Sequence, residues 1–159
     1  MLSYRSLQES DCDFILQNWV GHSIIFRKNN ASDKDKLLSL IRKINTKQHN
    51  GNYFEMFGIT HENTLVGTFS FYQRETDIPE NAVYFGIEID KDNRGKGFAT
   101  SAVLMAFQLA SEKGYEKVYS QASVENIASV KLHNKCEFDI IERIINRKGN
   151  EVYNFVKVL

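Results

Sequence analysis

The feature that most constrains this chain is a glycine-rich stretch between an apolar run and a long apolar helical segment. Residues 83–89 form the run, a short polar turn follows, and residues 94–99 read R-G-K-G-F-A before a segment that ends at Gly114. A strand that leads through such a loop into a helix builds an anion site, because the first helical amides lack partners and the macrodipole is positive there. The stretch therefore predicts a site for a phosphate-bearing ligand.

The residue types in the loop suit that ligand. Gly95 and Gly97 carry no Cβ, so a phosphate can approach the main chain, and Arg94 and Lys96 add positive charge beside it. The loop is not a Walker A motif. It is not a full dinucleotide fingerprint either, because Thr100 stands where the third glycine belongs. A glycine-softened turn before an ordinary core helix remains the alternative.

Composition narrows the class of protein. With 159 residues, the chain is predicted to be a single domain over residues 1–159, and its twenty basic residues balance twenty acidic ones, so nothing indicates a nucleic-acid or membrane partner. Cys12 and Cys136 are far apart and form no metal motif, and the chain begins with no signal-peptide pattern, so we expect free thiols and a cytoplasmic location. The scattered histidines offer no metal-ligand set, so no metal is predicted.

The periodicity of the remaining residues predicts the order β-α-α-β-β-β-α-β-α-β-β. A first strand and two helices precede strands at residues 53–60, 65–72 and 83–89. A helix after the loop, a strand at 117–122, a helix opened by Asn126 and a C-terminal hairpin complete the order. The pattern predicts one domain of the α/β (α+β) class. Three strands follow one another directly between residues 53 and 89, which argues against a nucleotide-binding fold, in which strands and helices alternate.

Two separated motifs carry a resemblance to a known family. Arg94, Gly97 and Ala99 match the pyrophosphate pattern Q/R-x-x-G-x-G/A, and residues 126–138, N-I-A-S-V-K-L-H-N-K-C-E-F, are similar to N-x-x-S-x-x-L-Y-E-K-x-G-F. Both are patterns of the GNAT superfamily of acyl-CoA-dependent N-acetyltransferases. The chain most resembles the branch that acts on ribosomal-protein N-termini, amino acids and polyamines. The resemblance implies a mixed, mostly antiparallel sheet of about seven strands flanked by about four helices.

The resemblance also implies acetyl-CoA as the acyl donor and assigns its contacts. Backbone amides of the loop would bind the pyrophosphate, the edge of the preceding strand would pair with the pantetheine arm, and the start of the next helix would contact that arm. A free N–H on the strand would stabilise the oxyanion of the tetrahedral intermediate. Asn126 has the alternative role of a helix N-cap, and Ser129 that of a first-turn residue. The predicted cofactor-binding residues are Ile87, Glu88, Ile89, Arg94, Gly95, Lys96, Gly97, Phe98, Ala99, Thr100, Asn126 and Ser129.

The chain departs from the family pattern where catalysis is concerned. His133 replaces the tyrosine that protonates the leaving thiolate in many relatives, and an imidazolium can do the same work, although a surface histidine is the alternative. Glu88 is the predicted base. Some relatives place a glutamate at the position of Gln121, but a glutamine cannot accept a proton usefully. Glu125 lies near this position, and its alternative role is to stabilise a helix N-terminus by its charge. Glu137 replaces a glycine, which puts the turn after the helix in doubt.

The predicted reaction is direct attack of a primary amine on the thioester of acetyl-CoA, without a covalent enzyme intermediate. The acceptor is a small amine or a protein N-terminal amine, held by the first two helices and the loops at residues 21–30 and 73–81. A monomer and a homodimer paired through the C-terminal hairpin both remain open. The alternative function is a non-catalytic acyl-CoA-binding module of the same fold.

Overall fold

The architecture is a twisted mixed sheet with helices on both faces. The computed structural model describes residues 1–19, 31–49, 51–73 and 79–159. Its strands are β1 Leu2–Ser6, β2 Gln48–His49, β3 Asn52–His61, β4 Thr64–Tyr72, β5 Ala82–Ile89, β6 Lys117–Ser123, β7 Asp139–Ile145 and β8 Glu151–Val158. Its α-helices are α1 Cys12–Asn18, α2 Ala31–Asn45, α3 Phe98–Glu112 and α4 Ile127–Lys135, and two 3₁₀ turns span Glu9–Asp11 and Lys91–Asn93.

The strands are arranged in the order β1-β3-β4-β5-β6-β8-β7, and the two-residue β2 pairs with β3 beside this path. Every pairing is antiparallel except β5 with β6. β5 and β6 are parallel because the chain crosses one face of the sheet through α3 between these two strands. The predicted fold class and element order are confirmed, and β2 is an additional short strand.

Two apolar clusters fix which face of the sheet each helix covers. Val83 and Phe85 of β5 pack against α3 through Ala102, Val103 and Ala106, so the odd-numbered residues of β5 face α3. On the opposite face, α1 and α2 enclose a second cluster with residues of β3 and β4 and with Leu7, which follows β1; its members include Leu7, Ile15, Trp19, Leu37, Ile41 and Leu65. Alternate residues of the central strands therefore lie on two separate sides of the sheet.

The turn after α4 keeps its helix-ending form without a glycine. The N–H of Phe138 bonds to the carbonyl of His133 at 3.0 Å, and the N–H of Glu137 bonds to that of Asn134 at 3.1 Å. These are the two hydrogen bonds of a Schellman motif. Glu137 has φ of 60°, a left-handed conformation that glycine adopts more freely. The doubt that the sequence raised about this turn is thus resolved: the turn forms, with a strained residue in it.

Candidate active site

The loop before α3 has the conformation that its glycines allow. Gly95 and Gly97 have φ of 76° and 79°, and a Cβ added at either would meet no atom within 4 Å, so the space above the loop is open. The N–H of Ser101 is the first in α3 to find a helical acceptor, the carbonyl of Gly97 at 3.3 Å. The amides of Phe98, Ala99 and Thr100 therefore have no acceptor within the helix. The loop offers an anion the groups that the sequence predicted.

Side chains hold this loop in place. The buried Asp90 accepts a hydrogen bond from Asn93 Nδ2 at 2.9 Å, and Lys96 Nζ donates to Asn93 Oδ1 at 3.3 Å. Arg94 Nε donates to the carbonyl of Ile89 at 3.0 Å, so the guanidinium is fixed over the end of β5. The positive charge of Arg94 and Lys96 is therefore already positioned beside the open loop.

A gap between β5 and β6 begins after Tyr84 and runs toward the glycine loop. The two strands pair only from Ala82↔Lys117 to Tyr84↔Tyr119, whereas β5 continues to pair with β4 as far as Ile89. The segment Phe85–Ile89, roughly 16 Å of extended chain, thus has no partner strand on its β6 side among the described residues. This part of β5, which β6 does not pair, leads directly to the glycine loop, and it includes the predicted pantetheine-binding residues Ile87, Glu88 and Ile89.

The gap opens on both faces of the sheet. Glu88 lies on the same face of β5 as Tyr84, opposite α3, and Gln121 lies on the corresponding face of β6, beside Tyr119. The rings of Tyr84 and Tyr119 are 6.0 Å apart at the point where the strands separate. Ser120 and Ala122 face the other way, toward α3 and α4. One side of the gap therefore faces the glycine loop at residues 94–99, called the anion loop from here on, and the other side faces away from it.

The start of α4 lies on the side of the anion loop. Asn126 is the N-cap, and its Oδ1 accepts the N–H of Ser129 at 3.1 Å. The capping alternative for Asn126 is therefore confirmed, and it leaves the amide NH₂ group of Asn126 for another partner. Ser129 lies in the first turn, and its carbonyl oxygen is 2.7 Å from Nδ1 of His133.

His133 is buried, with 4% of its surface exposed, so the alternative of a surface histidine is wrong. Because the Ser129 carbonyl can only accept, Nδ1 carries a proton, and Nε2 of the neutral ring accepts from Ser120 Oγ at 2.8 Å. The ring stacks on Phe155 with centroids 4.2 Å apart. Burial lowers the pKa of His133, against the opposing effect of the hydrogen bond to Ser129. Both ring nitrogens are engaged within the protein, so this geometry does not favour direct proton transfer from His133.

The family is decided by a match along most of the chain. Residues 2–139 match the model of the acetyltransferase (GNAT) domain. The chain belongs to the GNAT acetyltransferase family. It is an acetyl-CoA-dependent acetyltransferase, as the two sequence motifs predicted. A comparison with curated protein sequences gave no significant match.

Solved structures of other GNAT proteins share this fold. Spermidine N-acetyltransferase from Vibrio cholerae, in complex with CoA and spermine, is 22% identical with a TM-score of 0.76, over 99% of this chain and 95% of that one. RimL, a ribosomal-protein alpha-N-acetyltransferase in complex with coenzyme A, is 15% identical with a TM-score of 0.81, over 99% and 94%. YncA from Salmonella typhimurium, a putative acetyltransferase with acetyl-CoA, is 17% identical with a TM-score of 0.71, over 99% and 94%.

Other predicted parts of the GNAT site are only partly visible. Residues 20–30 and 74–78, which include most of the two predicted acceptor loops, lie outside the described residues. Within the described ranges, no three His, Cys, Asp or Glu side chains come together as a metal site. None of the described helices has the length and apolarity to cross a bilayer. The sequence did not predict that the ring of His61 packs against that of Phe98, at 4.8 Å, where α3 begins.

Proposed function

We propose that this GNAT protein is an N-acetyltransferase that moves the acetyl group of acetyl-CoA to a primary amine by direct attack within a ternary complex. The single observation that carries the proposal is the separation of β6 from β5 along residues Phe85–Ile89, which lead into the open glycine loop at the start of α3. An extended ligand with a phosphate group at one end can pair along the edge and place its anion on the helix amides.

The chain's residues fit coenzyme A in two places. The amides of Gly95 to Thr100 and the charges of Arg94 and Lys96 would hold the pyrophosphate, with Phe98 and Ala99 at the first helical positions. The backbone of Ile87, Glu88 and Ile89 would hold the pantetheine arm, and Asn126 and Ser129 would contact it from α4. Bound acetyl-CoA supplies an activated thioester, so the protein has mainly to position the two reactants, which can lower the barrier by roughly 7–11 kcal/mol.

No covalent intermediate is needed in this scheme. A backbone N–H of β5 that points into the gap would stabilise the oxyanion that forms when the amine attacks the thioester carbonyl. Burial raises the pKa of the thiols of Cys12 and Cys136, which keeps them protonated and poorly nucleophilic. Attack by the amine itself is the simplest reaction that this set of residues supports.

Two protons must be moved. Glu88 is the proposed base, because it lies beside the gap on the face away from the anion loop, where an ammonium acceptor would lose its proton. The predicted role of His133 as general acid stays a prediction. His133 would have to act through the Ser120 hydroxyl, which contacts Nε2 and faces the cofactor side of the gap. Such a relay needs an imidazolium, whereas burial lowers the pKa of His133 and favours the neutral ring.

The acceptor class follows from the fold and from the absence of a strong charge bias. The Vibrio cholerae protein is a spermidine acetyltransferase and RimL acts on a ribosomal protein, so a small amine and a protein N-terminus are both candidate acceptors. The net formal charge of zero supports no nucleic-acid partner.

The oligomeric state stays a prediction of monomer or homodimer. Val158 and Leu159 at the C-terminus are 60% and 37% exposed, and Ile145 on the edge strand β7 is 71% exposed. Such an apolar edge can pair with a second copy. Sedimentation at two protein concentrations would decide between the two states.

Thermal unfolding with acetyl-CoA, CoA, ATP and NAD tests the cofactor assignment. Ligand at about a hundredfold above its Kd adds roughly 2.7 kcal/mol of stability, which raises Tm visibly. We expect acetyl-CoA and CoA to raise Tm, and Gly97→Val to abolish the rise because a β-branched residue cannot adopt this φ without strain. Gly149→Val, at a hairpin glycine with φ of 80°, is the matched control and should keep the rise.

An acetylation assay with a panel of amines then separates the two candidate functions. The engagement of both nitrogens of His133 within the protein favours the second candidate, a non-catalytic acyl-CoA-binding module. That module would show the Tm rise without acetyl transfer to any amine. No rise with either CoA ligand would contradict both candidates.

A further inference from the structure

A row of three polar side chains crosses the sheet on the face opposite α3. Gln121 of β6, Asn154 of β8 and Glu142 of β7 are direct cross-strand neighbours. Gln121 Nε2 donates to Asn154 Oδ1 at 2.8 Å, and Asn154 Nδ2 donates to Glu142 Oε1 at 2.8 Å. The three side chains therefore form one hydrogen-bonded chain that ends on a carboxylate.

The carboxylate fixes the direction of this chain. Because Glu142 only accepts when ionised, Asn154 must turn its NH₂ group toward it and its oxygen toward Gln121. Gln121 must then turn its own NH₂ group toward Asn154, which leaves its Oε1 atom as the outer end of the chain. Within the part of the chain that the structure describes, this oxygen accepts no hydrogen bond. A chain of hydrogen bonds that ends on a charge also polarises its members, so Oε1 is a stronger acceptor than that of an isolated glutamine.

The outer end of the chain lies beside the reaction gap. Tyr84 and Tyr119 are the last paired residues of β5 and β6, and Gln121 lies two residues further along β6, where the strands have separated. It is on the same face as Glu88, across the gap. The anion loop and α4 occupy the other face, so an acceptor reaches the thioester from the side on which Gln121 lies.

We infer that Gln121 is the specificity-determining residue for the acceptor, and that its Oε1 accepts an N–H of the attacking amine while Asn154 and Glu142 position it. This inference rests on the proposed function. A neutral primary amine has two N–H bonds and a lone pair, so it can donate one N–H to Gln121 and attack with the lone pair. The other N–H then loses its proton after the C–N bond has formed.

The same geometry selects against other acceptors. A hydroxyl has a single proton, which it must lose on attack, so no donor would remain for Gln121. A secondary amine has only one N–H for both purposes. The negative charges of Glu142 and Glu88 on this face also disfavour an anionic group beside the amine. The structure therefore points to an unhindered primary amine without an adjacent carboxylate, such as an amino-acid amide or a peptide N-terminus, in preference to a free amino acid.

Steady-state kinetics on three matched probes tests this inference: glycinamide, glycine and sarcosinamide, together with the best amine of the wider panel. We expect transfer to glycinamide to exceed transfer to glycine and sarcosinamide. Gln121→Leu should raise KM for the best amine about tenfold and leave KM for acetyl-CoA unchanged, because one polarised hydrogen bond to the acceptor is lost. Glu142→Gln should raise the amine KM in the same direction by a smaller factor.

Glu112→Gln is the control. Glu112 accepts a hydrogen bond from an amide side chain, Gln108 Nε2, at 3.1 Å on the exposed end of α3, so the variant neutralises a similarly bonded carboxylate away from the gap. It should change neither KM. An unchanged amine KM in Gln121→Leu, or equal transfer to glycine and glycinamide, would overturn the inference while leaving the acetyltransferase activity standing. Binding of acetyl-CoA without transfer to any amine would instead overturn the proposed function, and the inference with it.

Discussion

The Nε2 atom of His133 and the Oγ atom of Ser120 lie 2.8 Å apart, buried between α4 and β6. This contact ties the helix of the second GNAT motif to the strand that borders the reaction gap. It accounts for a histidine at a position where many family members have tyrosine, since the shorter ring ends at Ser120. The folded protein therefore favours the neutral form of His133.

His133→Phe is predicted to reduce the loss of stability on mild acidification. Burial lowers the pKa of His133 in the fold, so below the unfolded value of about 6.5 the unfolded chain binds a proton that the fold does not. The stability contribution is therefore complete above pH about 6.5 and is lost as the pH falls toward the folded-state pKa. Urea unfolding between pH 5 and 8 should show that the free energy of unfolding changes less steeply with pH in the variant. An equal pH dependence in the two proteins would contradict the stabilising role of the neutral, buried ring.

Glu137→Gly is predicted to stabilise the protein by about 1 kcal/mol, because glycine adopts the left-handed conformation without the cost that a side chain brings. The lost contact with Lys157, at 3.4 Å, is small because Glu137 is 85% exposed. Glu137→Gln is the matched control: it also weakens that contact but keeps a side chain, so its stability should not rise. Thermal unfolding of the three proteins would measure the difference, and equal Tm values for glycine and glutamine would contradict the strain.

Periodicity and motif spacing predicted the elements and the anion loop because these depend on local residue order. Glu137 was visible in the sequence as a missing glycine, and the strain follows from it. The burial of His133 was not, because it depends on Ser120 and Phe155, which pack against it only in the assembled sheet. The hydrogen-bonded chain from Gln121 to Glu142 likewise depends on the register of three strands. The sequence therefore predicted the elements that border the gap better than the side-chain contacts made between them.

Gly67→Ala is predicted to destabilise the protein by about 1–3 kcal/mol through overpacking against a neighbouring strand. A Cβ at Gly67 would collide with the Glu88 carbonyl oxygen and lie 3.1 Å from the Cα of Ile89, so β5 would have to move where it leads into the anion loop. Urea unfolding should show the loss, and acetyl-CoA should raise Tm less than in the original protein.

Gly86→Ala provides the comparison for that variant. The nearest atom to a Cβ at Gly86 is Ser70 Oγ, at 3.2 Å, which belongs to a side chain that can rotate away. Its stability should therefore fall less than that of Gly67→Ala. Equal losses in the two variants would show that the approach of β4 to β5 at Gly67 is not the limiting contact.

Glu55→Gln is predicted to destabilise the protein by about 2 kcal/mol at pH 7 and by much less in acid. The side chain of Glu55 is only 9% exposed; Lys113 Nζ is 2.9 Å away and Tyr53 donates a hydrogen bond at 2.7 Å. Burial alone would raise the pKa of Glu55, but the hydrogen bonds from Tyr53 and Lys113 and the charges of Lys113 and Lys47 together lower it. The contribution is therefore present above the unfolded pKa of about 4.3 and is lost as the pH falls through the lower folded value. Urea unfolding at pH 7 and pH 3 should show that the stabilities of the two proteins converge in acid.

Glu151→Gln, which breaks the exposed ion pair with Arg143, is the control and should cause a much smaller loss of stability at pH 7. A loss in Glu55→Gln that is equally large at both pH values would mean that packing, and not the carboxylate charge, accounts for the role of Glu55.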